Sequence, residues 1–183
     1  MNLIFRLFLA FNSTSLILVV YLIKKGKLLT SFFPCLPDMP HFVSYFCYIL
    51  VGVILTYISL LFSNWLDFDS VESEKGESTI KEIELANNSF LPSYLGYFFV
   101  ALSVPNFETL IFVFGILLLF TFLSQTLYFN PMFLLFGYHF FYLTTHNDIR
   151  VFLITKKKLK NPSTINFPSL RRINDFTFID TEK

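Results

Sequence analysis

The sequence predicts an all-α membrane protein with four transmembrane helices, a short re-entrant or interfacial helix and a small cytoplasmic C-terminal tail. Three observations carry that expectation. Of the 183 residues 54% are hydrophobic and only 15% charged, and the mean hydropathy is +0.60, so most of the length is unsuited to water. Apolar runs close to twenty residues recur, the length that crosses a hydrocarbon core of roughly 30 Å. The charges are sorted into blocks: residues 67–84 sum to −5 and residues 150–183 to +5, within a net +1 for the chain. These facts exclude a disordered chain, a disulfide scaffold and an ordinary soluble domain. Cys35 and Cys47 are too few for a framework and have no metal-ligand spacing. The abundance of Phe, Ile, Asn, Lys and Tyr fits an AT-rich coding sequence, so the 26 phenylalanines do not by themselves mark a site.

The elements follow in chain order. Residues 3–23 are apolar apart from Arg6 and the cluster Asn12-Ser13-Thr14-Ser15, and Arg6 can reach the headgroups along its aliphatic stem. The run is too long for a signal peptide and is read as a retained first span. Lys24, Lys25 and Lys27 end it, and Pro34, Pro37 and Pro40 keep the following loop from being helical. Residues 42–62 carry no charge and form the clearest span, closed by Trp65 at the interface. Within it Ser44, Tyr48, Gly52, Thr56, Ser59 and Ser63 recur at helical spacing. Gly52, Thr56, Ser59 and Ser63 are therefore the expected helix-packing face, because small residues let helices approach closely in lipid. Residues 64–89 read as a polar, acidic, solvated loop with a short helix over 79–86. The apolar segment 90–104 falls short of a span and is expected to be re-entrant or interfacial. Pro105 and Asn106 stop one helix and cap the next, giving a third span over 107–123. Asn130-Pro131 repeats that signal, and the fourth span is expected over 131–146. Residues 1–149 thus form the transmembrane domain and residues 150–183 a basic cytoplasmic tail.

Orientation follows from counting cations. With four spans and both termini inside, eleven Lys or Arg lie inside and three outside; with a fifth span over 90–104 and the N-terminus outside, the count is the same. The four-span topology is favoured because the fifth span would be short. Both place the C-terminus in the cytoplasm.

Few side chains suggest chemistry. Glu108, His139, His146 and Asp148 are ionisable groups in or near apolar segments. Glu108 suits a helix N-terminus, while His139, His146 and Asp148 are too few for a di-metal membrane oxidase. No phosphate-binding Gly-rich loop, nucleophile elbow, CxxC pair or HExxH occurs. No enzyme activity, cofactor or metal is expected. In the tail, Lys156, Lys157, Lys158 and Lys160 stand just beyond the last apolar run and are expected to anchor on anionic lipid. Farther on, Phe176-Thr177-Phe178 alternates like a strand that 151–154 could pair with. Arg171, Arg172, Asp175, Phe176 and Phe178 are the expected docking residues for a cytosolic partner or for the acidic loop. The alternative function is a small oligomeric channel or transporter, with Asn12 to Ser15 lining a path.

The pattern of small size, apolar spans, intervening polar loop and a tail ending Arg172-Ile173-Asn174-Asp175-Phe176-Thr177-Phe178-Ile179-Asp180 resembles the KwaA family, the membrane subunits of the bacterial Kiwa antiphage system. The resemblance implies a multi-pass inner-membrane protein that binds lipid and itself, as a tetramer. It also implies a sensor or scaffold that recruits a cytosolic, nucleic-acid-binding partner subunit, KwaB. Direct nucleic-acid binding is not implied, and no catalytic residues carry over.

Overall fold

The computed structural model describes residues 2–35, 37, 39–71, 80–89, 91–124, 130–162, 165 and 167–181. The first apolar run forms α1 (Asn2–Thr14) and α2 (Leu16–Lys24). They are separated where Ser13 Oγ and Thr14 Oγ1 donate to the Ala10 carbonyl at 2.9 Å and Ser15 Oγ donates to the Asn12 carbonyl at 2.7 Å. Such back-bonding competes with the helical ladder and bends it. After a 3-10 turn at Leu29–Ser31, α3 (His41–Ser63) runs antiparallel to α1 and α2. Its register is fixed by an edge-to-face Phe8–Phe62 pair at 6.3 Å and by the Tyr48 hydroxyl donating to the Lys27 carbonyl at 3.0 Å.

Two further helices, α4 (Leu91–Ser103) and α5 (Phe107–Ser124), follow each other across a short break. Pro105 stops the first, and Asn106 Oδ1 caps the second by accepting the Thr109 amide at 2.9 Å. Antiparallel to α1, α5 places Phe114 5.8 Å from Phe11 and Phe122 under Arg6 at 5.5 Å. Lys24 Nζ donates to the Leu102 and Val104 carbonyls, and Lys25 Nζ donates to the Pro105 carbonyl at 2.8 Å. Two cations thus close the negative end of α4. Three helices are long and apolar enough to cross a membrane by length and composition: Leu3–Lys24, His41–Ser63 and Phe107–Ser124. With 13 residues, α4 reaches only about 20 Å.

The chain is not all-α. Beyond the helices lies a mixed six-stranded sheet of β1 (Phe68–Val71), β2 (Ile80–Leu85), β3 (His139–Thr145), β4 (Arg150–Thr155), β5 (Phe167–Asn174) and β6 (Thr177–Asp180), in the order β1-β5-β6-β4-β3-β2. Neighbours are antiparallel except β4 and β6, which run parallel with Phe152 opposite Thr177 and Ile154 opposite Ile179. The pairing of 151–154 with the Phe178 strand, expected from the sequence, is present.

Two expected helices are strands. The fourth span over 131–146 is replaced by a short helix, α6 (Met132–Leu135), a turn at Gly137 with φ 76° that glycine adopts without steric cost, and β3. A strand buried on both faces has no polar alternation and reads like an apolar helix; here Phe140, Phe141 and Leu143 are all buried. The short helix expected over 79–86 is β2, with Thr79 outside the described residues. Ile80 and Ile83 pack in one cluster despite their three-residue spacing. The register shifts between Ile80 and Glu82, and the extra residue of a bulge turns both side chains to one face.

Both sheet faces are apolar. One carries Phe140, Phe152, Ile154, Ile173 and Ile179 against Phe5, Leu9 and Ala10 of α1, Tyr94 of α4 and Phe133 of α6. The other carries Phe141, Leu143, Leu153, Leu170 and Phe178, with Leu159 and Ile165 of the β4–β5 connection packed among them. The sheet therefore sits on the end of the helix bundle that holds the start of α1 and the end of α3.

Candidate functional site

The feature that joins bundle to sheet is a buried polar node. Asn12 of α1, Thr56 of α3 and Asn130, just before α6, are all buried. Thr56 Oγ1 accepts Asn12 Nδ2 at 3.1 Å and Asn130 Nδ2 at 3.0 Å, and donates to the Gly52 carbonyl at 2.9 Å. That exhausts a hydroxyl's capacity of one donor and two acceptors. Asn130, one residue ahead of Pro131, the N-cap of α6, also accepts the Met132 amide on its Oδ1 at 3.0 Å. The break before this helix was legible as Asn130-Pro131; the contact with Thr56, 74 positions away, was not. Asn130 and Asn12 of α1 both donate to Thr56, whereas α5 passes Arg6 at Phe122, so the chain after α5 dips back into the bundle before it enters β3. Residues 130–135 thus lie against the bundle interior ahead of the sheet.

Of the expected packing face, Thr56, Ser59 and Ser63 are buried and Gly52 is half-buried. Ser59 and Ser63 hydroxyls return to the Leu55 and Leu60 carbonyls at 3.0 and 2.7 Å. Among the described residues, only Thr56 of these four reaches another helix by hydrogen bond.

The five expected docking residues do not form one surface. Phe178 is buried in the sheet core, and Arg171 is half-buried, its guanidinium 3.4 Å over the Phe68 ring and its Nη1 donating to the Leu66 carbonyl at 2.8 Å. Both tie the tail to the former acidic loop: β5 pairs with β1, setting Arg171 opposite Phe68. Arg172, Asp175 and Phe176 remain outward at the β5–β6 turn, with Arg172 paired to Asp175. The anchoring lysines also divide. Lys158 and Lys160 are exposed, Lys156 lies 4.9 Å over the Tyr138 ring, and Lys157 stands 3.4 Å from Asp180 and 5.2 Å over the Phe167 ring. Asp180, which sequence reasoning passed over, is buried and accepts the Thr155 hydroxyl at 2.8 Å. A carboxylate directly following the apolar pair Phe178-Ile179 was the signal.

The ionisable suspects are separated. In a strand, seven residues span roughly 23 Å, so His139 and His146 lie at opposite ends of β3 instead of on one helical face. His139 Nδ1 accepts the Asn87 amide at 3.0 Å. Asp148, in the β3–β4 turn with φ 57°, accepts Lys81 Nζ at 2.6 Å. The ammonium beside Asp148 holds its carboxyl below the ordinary 3.8, and the hydrogen bond to Asp148 raises Lys81 above 10.5. Arg150 of β4 pairs with Glu84 of β2 across β3. Three carboxylates of the acidic loop, Glu72, Glu74 and Glu77, lie outside the described residues. Among the described residues no group of three or more His, Cys, Asp or Glu is placed to hold a metal ion.

Both sheet edges are blunted. The edge strand β1 has four residues, and β2 carries Lys81, Glu82 and Glu84; short and charged edges resist pairing with another chain.

No curated protein and no solved structure matches the chain. The profile of the family described as anti-phage protein KwaA matches residues 5–179.

Proposed function

Since the chain belongs to the KwaA family and is therefore an anti-phage defence protein, we propose that it is the membrane-embedded sensor and scaffold of its defence system, with the sheet as its cytoplasmic face. One observation carries the reading: the sheet draws strands from both polar segments, 67–85 and 139–180. A hydrogen-bonded sheet cannot be divided by a bilayer, because unpaired backbone groups are not tolerated in hydrocarbon. Both segments then share one side with the start of α1. The chain leaves that side after β2 and returns by α6, so α4 and α5 act as a pair and the number of crossings is even. The odd, N-terminus-outside topology would put the two segments on opposite sides of the bilayer, and the sheet that joins them speaks for the even one.

Arg6, Lys81 and the seven described tail cations stand at the sheet end, against Lys24, Lys25 and Lys27 at the other. The positive-inside bias favours the sheet in the cytoplasm and the C-terminus with it. The three opposing lysines are explained in part by Lys24 and Lys25, which close α4. The membrane in this reading is the bacterial inner membrane. The apolar outer surface of α5, with Phe112 and Phe120 exposed, faces lipid or another copy, and the tetramer implied by the family likeness would use such faces.

The partner subunit, KwaB in the family reading, would meet the β5–β6 turn at Arg172, Asp175 and Phe176. A disturbance of the bilayer that shifts α1 against α3 would reach the sheet through Asn130, whose helix leads directly into β3, as a shift in populations of two packings. No catalytic role is assigned.

Two measurements test this. With Cys35 and Cys47 replaced by serine, Lys27→Cys should react with an impermeant maleimide from outside, and Asp148→Cys only after the inner membrane is opened; the reverse pattern overturns the topology. Capture of the partner by the full chain should fall in Phe176→Ala/Arg172→Glu while membrane insertion stays unchanged. Deleting 166–183 is a poorer test, since it removes β5 and β6 from within the sheet. Ion flux through purified protein in liposomes would support the channel instead.

A further inference from the structure

The node that joins α1, α3 and the segment ahead of α6 leaves one buried atom over. Asn12 is only 3% exposed, and among the described residues no donor reaches its side-chain oxygen. Its amide nitrogen is committed to Thr56 Oγ1 at 3.1 Å. Thr56 cannot serve the oxygen as well, because its own proton goes to the Gly52 carbonyl at 2.9 Å and its two lone pairs take Asn12 and Asn130. A buried amide oxygen without a donor is costly. In folded proteins such an atom is nearly always paired, by the chain itself or by an ordered water.

A small cavity lies beside it, lined by Asn12, Ser15, Tyr48, Gly52 and Asn130 together with apolar side chains of α2, α3 and α6. Its volume is about 10 Å³, at the lower edge of the roughly 10–15 Å³ that one water needs. A methyl placed on Gly52 would meet nothing within 4 Å, so α3 leaves the space open from its side. The polar groups around it form a complementary set. Asn12 Oδ1 needs a donor. Tyr48 and Ser15 give their hydroxyl protons to the Lys27 and Asn12 carbonyls at 3.0 and 2.7 Å, and each oxygen keeps a lone pair to accept with. Asn130 gives one amide N–H to Thr56 and keeps the second. A water, with two protons to donate and lone pairs to accept on, needs two to four such partners. A cation fits worse: no lining residue is charged, so its charge would stand uncompensated among apolar helices. Cavities that stay dry are lined by apolar groups alone.

We propose that this cavity is the binding site of one internal water molecule, the fourth member of the node. The water donates to Asn12 Oδ1, gives its other proton to a hydroxyl oxygen of the lining, Tyr48 or Ser15, and accepts the second N–H of Asn130. The contact between the first apolar run and the segment that leads into β3 is then carried in part by water, through bonds nearly as favourable as direct ones. The site is independent of the topology proposed above.

The test is solid-state NMR on the full chain, isotope-labelled and embedded in lipid bilayers, with the magnetisation started on water. The side-chain amides of Asn12 and Asn130 should receive it severalfold faster than the backbone amide of Ala101, which is buried among apolar side chains. Asn12→Leu removes the unpartnered oxygen and should bring Asn130 down to the level of Ala101. Ser59→Ala, at a buried α3 hydroxyl bonded within its own helix, should alter neither. Transfer to Asn12 as slow as to Ala101 overturns the proposal, and so does transfer to Asn130 that is unchanged in Asn12→Leu. Should Asn12→Leu fail to insert, the comparison within the wild-type chain decides. Chemical shifts of Asn12 and Asn130 that are the same in sodium chloride and in choline chloride support water; shifts that move when sodium is withdrawn overturn it in favour of a cation.

Discussion

The bundle and the sheet are built from one chain on opposite plans. In the helices the buried set includes Asn12, Ser13, Thr14, Ser44, Thr56, Ser59 and Ser63, while Phe112, Phe120 and Leu119 are exposed. The sheet buries Phe140, Leu143, Phe152 and Ile179 and exposes Lys81, Glu84, Asp148 and Arg150. The difference shows which solvent each half is made for. In water, apolar area is driven inward. In lipid that drive is absent between helices, so small side chains and hydrogen bonds hold them instead.

The sharpest way to break this comparison is to cut the same side chain in each half. Phe140 is fully buried, stacked 5.8 Å from Phe152 and edge-on to Phe133 at 6.1 Å. Phe140→Ala should cost about 3–5 kcal/mol in denaturant unfolding of the purified protein. Phe112→Ala, at an exposed helix position, should stay within about 0.5 kcal/mol. Equal losses would mean that the two halves share one kind of core.

Next in size is a charge placed at matched exposure. Leu119 and Phe176 are each 53% exposed. Leu119→Asp should disfavour membrane insertion by about 2.5–3.5 kcal/mol, read as the inserted fraction, whereas Phe176→Asp should leave insertion unchanged. Loss of insertion in both would place the sheet turn in lipid.

Hydrogen bonds give a smaller contrast. Thr155→Val removes the donor to buried Asp180 and should destabilise by about 1–3 kcal/mol. Thr56→Val removes the acceptor of two amides, but in lipid such bonds contribute about 0.6–1.7 kcal/mol. A larger loss at Thr56 than at Thr155 would make the node the dominant clamp.

The smallest effect belongs to the exposed Lys81–Asp148 pair. Asp148 has a depressed pKa, so its contribution is present above the ordinary 3.8 and is lost as the pH falls through the lower folded value. Lys81 is raised, so its contribution is present below 10.5 and is lost as the pH rises through the higher folded value. An NMR titration of the Asp148 carboxyl should give a midpoint below 3.8, returning towards it in Lys81→Ala; an unshifted wild-type midpoint would remove the pair.

Legibility in the sequence followed the range of the interaction that decides each element. The charge-free run of α3 and the Pro105-Asn106 boundary before α5 are local signals, and their helices lie where the residues place them. The strand pairing of Phe178 with 151–154 was readable from alternation. Segment 139–145 was misread because its apolar run has the composition of a span, and β2 because a bulge gives Ile80 and Ile83 helical spacing. Of the candidate site, Arg172, Asp175 and Phe176 stayed outward, while Arg171 and Phe178 were taken by contacts to Phe68 and to the sheet core. Asn130 gained importance only from Thr56, far away in the chain.

By itself the sequence determined which stretches avoid water, where three long apolar helices begin and end, and that an acidic loop and a basic tail of opposite charge flank the apolar region. Hydropathy, proline and capping act within a few residues, so the order of residues is enough for these. The cation count, by contrast, tied between two topologies. Only the tertiary structure joined loop and tail in one sheet, turned the expected fourth span into α6 and β3, and brought Asn130 to Thr56. Strand partners and buried hydrogen bonds link residues tens of positions apart, and no local pattern names the partner.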